Sequence, residues 1–311
     1  MAPPRVVSLI ASSTEMVCAL DCGDWLVARS HECDYPAWVR KLPAITAPKF
    51  PTDAASPALD RSVRALVEQG VSVYRVDADA LAALRPDVII TQTQCEVCAV
   101  SLADVEKAVR EVAGPKVRIV SLEPNALEDI LRDYRRVADS LGVPERGVQQ
   151  ITRLTARMNG VAARATGLLP RPRIACIEWM DPLMAAGNWT PQLIERAGGI
   201  DLFGKAGVHA PRLTWAELAD ADPDMVWVTP CGFDLARIRS EMPALTSHAE
   251  WRALRAVREG RVFLGDGNAF FNRPGPRVAE TLEILAEALH PEAFRYGHEG
   301  TGWERLARPN N

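Results

Sequence analysis

A segment running Ala80 to Cys95, ALAALRPDVIITQTQC, returns later in the chain as Glu217 to Gly232, ELADADPDMVWVTPCG. Each copy reads as a short helix, a Pro-Asp pair, an apolar strand and a loop that carries a cysteine. Earlier strands match as well, since Arg5-Val6-Val7-Ser8-Leu9-Ile10 has its counterpart in Arg173-Ile174-Ala175-Cys176-Ile177. Preserved order at both places predicts two similar lobes of one α/β design. Open α/β sheets bind ligands outside the carboxyl ends of their strands, so two such lobes are expected to hold a ligand in a cleft between them.

The rest of the chain fits this division. Strand-like runs near residues 5–10, 25–30, 71–76, 87–92, 116–122, 173–179, 225–230 and 261–265 alternate with helical patterns, which argues for parallel-type sheets with helical crossovers. From Pro144 to about Thr166, Val148, Ile151, Thr155, Met158, Ala162 and Ala165 recur at three- and four-residue spacing, while Arg146, Arg153, Arg157 and Arg164 fall elsewhere on the wheel. That pattern predicts one long amphipathic helix of about six turns, read either as a backbone strut or as an ordinary crossover. Leu168-Leu169-Pro170-Arg171-Pro172 ends it, because proline cannot continue a helical ladder. The expected domains are an N-terminal lobe over 1–143, a linking helix over 144–169 and a C-terminal lobe over 170–311 with a polar surface tail after Pro291.

Composition narrows the function. A net charge of −4, with 48% hydrophobic and 24% charged residues, gives no general attraction to nucleic acid. No apolar run reaches the roughly 18–20 residues that span a bilayer, so no membrane insertion is expected. Met1-Ala2-Pro3-Pro4-Arg5 has no basic start, apolar stretch or small-residue cleavage site. The expectation is therefore a cytoplasmic protein, or a periplasmic one if the chain has been shortened.

Seven cysteines, an odd number, suit reduced thiols better than a complete disulfide framework. No phosphate-binding glycine loop, Gly-x-Ser-x-Gly elbow or dinucleotide fingerprint is present, and no catalytic residue is expected.

The loops that follow the strands carry the candidate chemistry. Tyr35, Trp179, Trp189, Phe233, Phe270 and Phe271 concentrate there in a chain with only 6% aromatic residues, together with Gln92, Gln94, Asn188, Asn268 and Arg273. Aromatic rings give broad, stiff contact area, and the amides and the arginine suit the polar rim of a large planar ligand. Phe270 and Phe271, being adjacent, are expected to point in different directions. Cys33, Cys95, Cys98 and Cys231 lie in the same loops. They admit three readings: a Cys-x-x-Cys redox pair, a four-thiolate set for zinc or an iron–sulfur cluster, or small apolar pocket residues. His31, followed by Glu32, reads as a ligand, a base or a surface hydrogen-bonding group.

Arg5-Val6-Val7-Ser8-Leu9 with Thr14-Glu15, the loop ending Asp34-Tyr35-Pro36, Leu84-Arg85-Pro86-Asp87-Val88-Ile89-Ile90, the long helix and Arg273-Pro274-Gly275-Pro276-Arg277 together resemble the helical-backbone (class III) substrate-binding proteins of ABC importers. The resemblance spans about residues 5 to 290 and is strongest to the vitamin B12-binding members. It implies two α/β lobes bridged by one helix, with a ligand held and no chemistry performed on it. Matched by position, Tyr35, Phe50, Trp179 and Phe270 stand at aromatic positions of those members. Acidic residues that dock on a permease would correspond to Asp104 and Glu241.

The leading expectation is a binding protein for cobalamin or a related corrinoid, with an ABC permease as partner if exported. The alternatives are a metal or redox protein using the cysteines, and a binder of haem or a ferric siderophore.

Overall fold

Short apolar runs separated by helical segments build two sheets with parallel cores in the computed structural model, which describes residues 2–50, 55–68, 73–93 and 117–307. The chain divides into one unit formed by Met1–Ala54, Ala58–Pro124 and Glu128–Arg153 and a second formed mainly by Leu154–Asn311.

In the first unit β1 (Val6–Ser8) leads into α1 (Ala11–Ala19) and β2 (Leu26–Arg29). There follow β3 (Thr46–Pro48), α2 (Ser56–Glu68), β4 (Tyr74–Val76), α3 (Ala78–Leu84), β5 (Val88–Gln92) and β6 (Arg118–Leu122). The main sheet has the order β2-β1-β5-β6 and is wholly parallel. Every residue of β1 and β5 is buried, as expected for strands covered on both faces. Beside it β3 and β4 form an antiparallel pair. Val7, Leu9, Ile45, Tyr74, Leu81 and Ile89 share one core cluster that joins the two sheets.

Two helices follow, α4 (Leu127–Ser140) and α5 (Pro144–Ala165). The second is the long helix expected from periodicity. Pro144–Arg153 belongs to the first unit, where Arg146 donates to the Leu20 and Asp21 carbonyls at 3.0 Å and Gln150 to that of Ala19 at 2.7 Å. Leu154–Ala165 belongs to the second, where Arg157 grips Glu283 through Nε at 2.7 Å and Nη2 at 2.6 Å.

The second unit continues with β7 (Arg173–Trp179), β8 (Met184–Ala185), α6 (Thr190–Arg196), β9 (Ile200–Asp201), α7 (Trp215–Ala221) and β10 (Met225–Val228). Then come α8 (Leu235–Glu241), β11 (Val262–Gly265), α9 (Val278–Leu289) and β12 (Trp303–Arg305). The sheet order is β12-β11-β10-β7-β8, with β9 also on β7. Its centre, β11-β10-β7, is parallel, and β8 and β12 run antiparallel at its edges.

The repeated Pro-Asp pair has a physical role in each unit. Asp87 Oδ2 accepts the Arg5 backbone N–H at 2.8 Å, and Asp224 Oδ2 accepts that of Arg173, also at 2.8 Å. Each aspartate thereby closes the first rung between a strand and its parallel neighbour, and its own N–H returns to the Arg5 or Arg173 carbonyl. The helix before each pair is capped alike, with Asp77 accepting from Ala80 N and Thr214 forming a reciprocal capping box with Glu217. Each such helix ends on a left-handed residue, Arg85 or Asp222.

The stretch after Pro291 is not the surface tail that its polar composition suggests. Phe294 and Trp303 are buried, and β12 completes the sheet. Glu287 organises this strap by accepting the N–H groups of Tyr296, Gly297 and His298 and the Trp303 indole N–H. Burial alone would raise the Glu287 carboxyl, but the Gly297 N–H, the Trp303 indole and the other two amides outweigh it and hold its pKa below the ordinary 4.5.

Its folded pKa being depressed, the strap's stabilisation is present above pH 4.5 and fades as the pH falls below it. Glu287→Ala strips four donors of their acceptor; the three backbone amides are part-buried and can turn to water, so the expected cost is about 3 kcal/mol, the upper end of the roughly 1–3 kcal/mol for one buried donor, the Trp303 indole, left unsatisfied. Urea unfolding at pH 7 measures the loss, and the gap between wild type and variant should narrow at pH 3.5, below the ordinary value.

Candidate functional site

Because the main strands of each sheet are parallel, their carboxyl ends open on one edge, and the loops leaving that edge are set by the rungs beneath them. In the first unit β1 runs directly into α1 through a knot of hydroxyls. Ser8 Oγ lies 2.6 Å from Ser13 Oγ and 2.7 Å from Thr14 Oγ1, and Thr14 Oγ1 is 3.0 Å from the Cys33 thiol. Ser12 Oγ, also buried, has no partner among the described residues.

The loop after β2 carries His31, Glu32, Cys33, Asp34 and Tyr35. Cys33 is sealed beneath it at 1% exposure, whereas Tyr35 stands out at 49%. Phe50 is half-buried against Tyr74, with ring centroids 6.2 Å apart. Gln92 ends β5 in a buried position, and its Oε1 has no partner among the described residues. Gln94, Cys95, Cys98 and Asp104 lie outside the described residues.

In the second unit three loops interlock. Phe233 offers its carbonyl to Gly267 N–H at 2.9 Å and Asn268 N–H at 3.1 Å, while Asn272 Nδ2 donates to the Thr229 carbonyl at 3.1 Å. A single π-type turn, Gly267–Phe271, is started by Asp266, which accepts from Ala269 N–H at 2.7 Å. Burial, the largest influence, raises the Asp266 pKa against that hydrogen bond. Glycine is required at 267 because a Cβ there would overlap the Pro230 carbonyl oxygen.

Trp179 packs on Phe233 with centroids 5.5 Å apart, and its indole N–H donates to the Asp181 carbonyl at 3.0 Å. Asn188 takes a left-handed φ of 53°, its N–H donating to Val208 O and its carbonyl receiving Gly207 N–H.

The second unit thus gathers the candidate residues into an exposed rank and a buried rank. Trp179, Asn188, Cys231, Asn268 and Phe270 are partly exposed. Trp189, Phe233, Phe271 and Arg273 are buried, Phe271 against Trp227 and Arg273 bonded to Asn268 Oδ1 at 3.0 Å. Phe270 and Phe271 do diverge, as adjacency requires.

Sequence reasoning passed over the cations that back these rings. Arg237 lies over Phe233 at 5.0 Å and Arg277 over Phe270 at 5.3 Å. The first pair shows in the sequence as a four-residue spacing across the helix capped by Asp234. Arg277 has no such local signal. Glu241 pairs with Arg237 at 2.8 Å.

Of the four thiols read as a metal set, Cys33 is buried and Cys231 partly exposed, while Cys95 and Cys98 lie outside the described residues. Cys18, outside that set, is pushed up to about 12 by burial and then by Glu15, and burial also raises Cys22 and Cys176. Among the described residues no three His, Cys, Asp or Glu side chains are grouped to hold a metal ion.

Partly exposed rings and amides on the carboxyl-edge loops of an α/β fold are what this arrangement defines. The chain belongs to the periplasmic binding protein family, whose family model matches residues 6–269, and members of this class are the substrate-binding, non-catalytic components of ABC importers. A vitamin B12-binding protein of Photorhabdus laumondii is 22% identical over 297 residues, covering 93% of this chain and 89% of its own. An uncharacterised ABC transporter substrate-binding lipoprotein of Bacillus subtilis is likewise 22% identical, over 94% of this chain and 82% of its own. Among solved structures, a periplasmic heme-binding protein of Pseudomonas aeruginosa shares the fold with a TM-score of 0.73 at 21% identity, over 99% of this chain and 100% of that one.

These findings correct the cytoplasmic expectation. The family is one of periplasmic and lipid-anchored binding proteins, and the composition of the first residues does not outweigh a match over most of the chain.

Gly267→Ala is expected to lower stability by about 1–3 kcal/mol, the usual range for forcing atoms into a packed site. Urea unfolding measures it; an unchanged midpoint would show that the loop joint yields freely.

Proposed function

We propose that the protein is the binding component of an importer for cobalamin or a related corrinoid, held without catalysis. The supporting observation is the run of curated relatives named vitamin B12-binding protein that match at 22–24% identity over 92–93% of the chain. The chemistry of the carboxyl-edge loops agrees. Tyr35, Phe50, Trp179 and Phe270 supply rings for a broad macrocycle, and Gln92, Gln94, Asn188 and Asn268 supply amides for the carboxamide rim of a corrin. Trp189, Phe233, Phe271 and Arg273 hold those contacts from behind.

A haem or ferric-siderophore ligand is the second reading, favoured by the fold shared with a heme-binding protein. Corrin is preferred because the amide side chains in these loops match a neutral, amide-fringed rim better than a rim of free carboxylates. The partner of this reading is an ABC permease, with Glu241 on the second unit and Asp104 on the first as docking acids.

Calorimetric titration with cyanocobalamin is expected to show saturable 1:1 binding, and hemin to bind more weakly. Tyr35→Ala and Trp179→Ala should each weaken cobalamin by about 10-fold, the scale of one lost ring contact with its buried area. Tighter binding of hemin than of cobalamin would reverse the preference, and no heat with either would discard the reading.

A further inference from the structure

The two ring nitrogens of His31, just beyond the carboxyl end of β2, are in different circumstances. Nδ1 lies 2.7 Å from Oγ1 of Thr46 on β3. The same hydroxyl accepts the His31 backbone N–H at 3.0 Å and donates to Ser30 Oγ at 3.2 Å. A threonine hydroxyl has one proton and two lone pairs. With the proton directed to Ser30 and one lone pair taken by the backbone, the other lone pair accepts from Nδ1–H. The network therefore assigns the tautomer with its proton on Nδ1, and Nε2 keeps its lone pair.

Three further observations isolate that lone pair. Among the described residues the nearest acid oxygen, Glu32 Oε1, is 4.0 Å from Nε2, beyond hydrogen-bonding range, and it accepts from the Tyr74 hydroxyl at 3.2 Å. Tyr74 also packs against the imidazole, centroids 5.1 Å apart, which limits its rotation. The side chain nevertheless retains 24% exposure. Burial, and after it the charge of Arg29, hold the ring's pKa below 6.5, so it is neutral at pH 7.

A neutral imidazole anchored through one nitrogen is oriented as metal-binding histidines are, the anchoring bond fixing tautomer and direction. One imidazole cannot hold a bare ion, and among the described residues no cluster would assist it. It suits a metal that arrives with its equatorial ligands in place.

We propose that His31 Nε2 is an axial ligand to the metal centre of the bound chelate, cobalt in a corrinoid. This rests on the proposed ligand class and adds to it a bond between protein and metal. In the step, the Nε2 lone pair forms the metal–nitrogen bond and a weakly held axial water leaves with its own electron pair. The metal keeps its oxidation state, and no proton moves because the ring is already neutral.

The test compares aquocobalamin, whose axial water is exchangeable, with cyanocobalamin, whose cyanide is not. Each is titrated into the full chain and followed by calorimetry and visible absorption. The expected result is a shift of the aquocobalamin bands on binding and an affinity about 10-fold or more above that for cyanocobalamin. His31→Ala should abolish the shift and bring the ratio of the two affinities to about one, a loss in the range of about 10–100-fold that supporting changes at metal sites produce. His31→Gln, which can still hydrogen-bond to Thr46, should behave the same way. Equal affinities with no shift in the wild type, or a shift that survives in both variants, would overturn the assignment while leaving corrinoid binding intact. Failure of both corrinoids to bind would overturn the ligand reading and the assignment together.

Discussion

Parallel strands leave little freedom about where function can sit. Their connections cross behind the sheet, so every carboxyl end emerges on one edge, and what fixes that edge is the register of the first rung. In both units that register is pinned by an aspartate from the repeated Pro-Asp pair. Asp87 and Asp224 each take the backbone N–H of the neighbouring strand's first residue and return their own N–H to its carbonyl. A slip of one residue would turn every loop-proximal side chain to the opposite face. The clamp at the amino edge thereby sets the chemistry at the carboxyl edge.

What the carboxyl edge offers is divided between structural and exposed groups. Hydroxyls of Ser8, Ser13 and Thr14 satisfy one another beneath the first unit's loops and take in the Cys33 thiol. In the second unit Phe233, Gly267 and Asn272 lock three loops through backbone acceptors. Rings and amides in front of these joints are backed by the hydrogen bonds that tie the loops together. Such preorganisation favours binding, since less side-chain freedom is lost when a ligand arrives.

Much of the architecture was legible from sequence, for identifiable reasons. The duplication, the long amphipathic helix and the main parallel strands are local patterns, and local patterns survive without tertiary information. Strands β3, β8, β9 and β12 are two or three residues long. They exist because a neighbour supplies hydrogen bonds, and nothing within them announces it. The strap after Pro291 was misjudged because its anchor, Glu287, sits on α9 and acts through backbone donors that have no sequence signature. His31 was visible as a candidate, but its tautomer depends on Thr46, fifteen positions away, and could only be read once β3 was placed. Localisation failed differently: the composition of the first residues says little about a fold whose family is one of periplasmic binding proteins.

Hydrogen–deuterium exchange with and without saturating cobalamin tests the central claim most directly, that the carboxyl-edge loops bind the ligand. The account predicts added protection in the loops around residues 30–36, 178–189, 230–234 and 266–273, with little change at the opposite edge around 85–87 and 222–224. Protection confined to the opposite edge, or none anywhere at saturation, would contradict it.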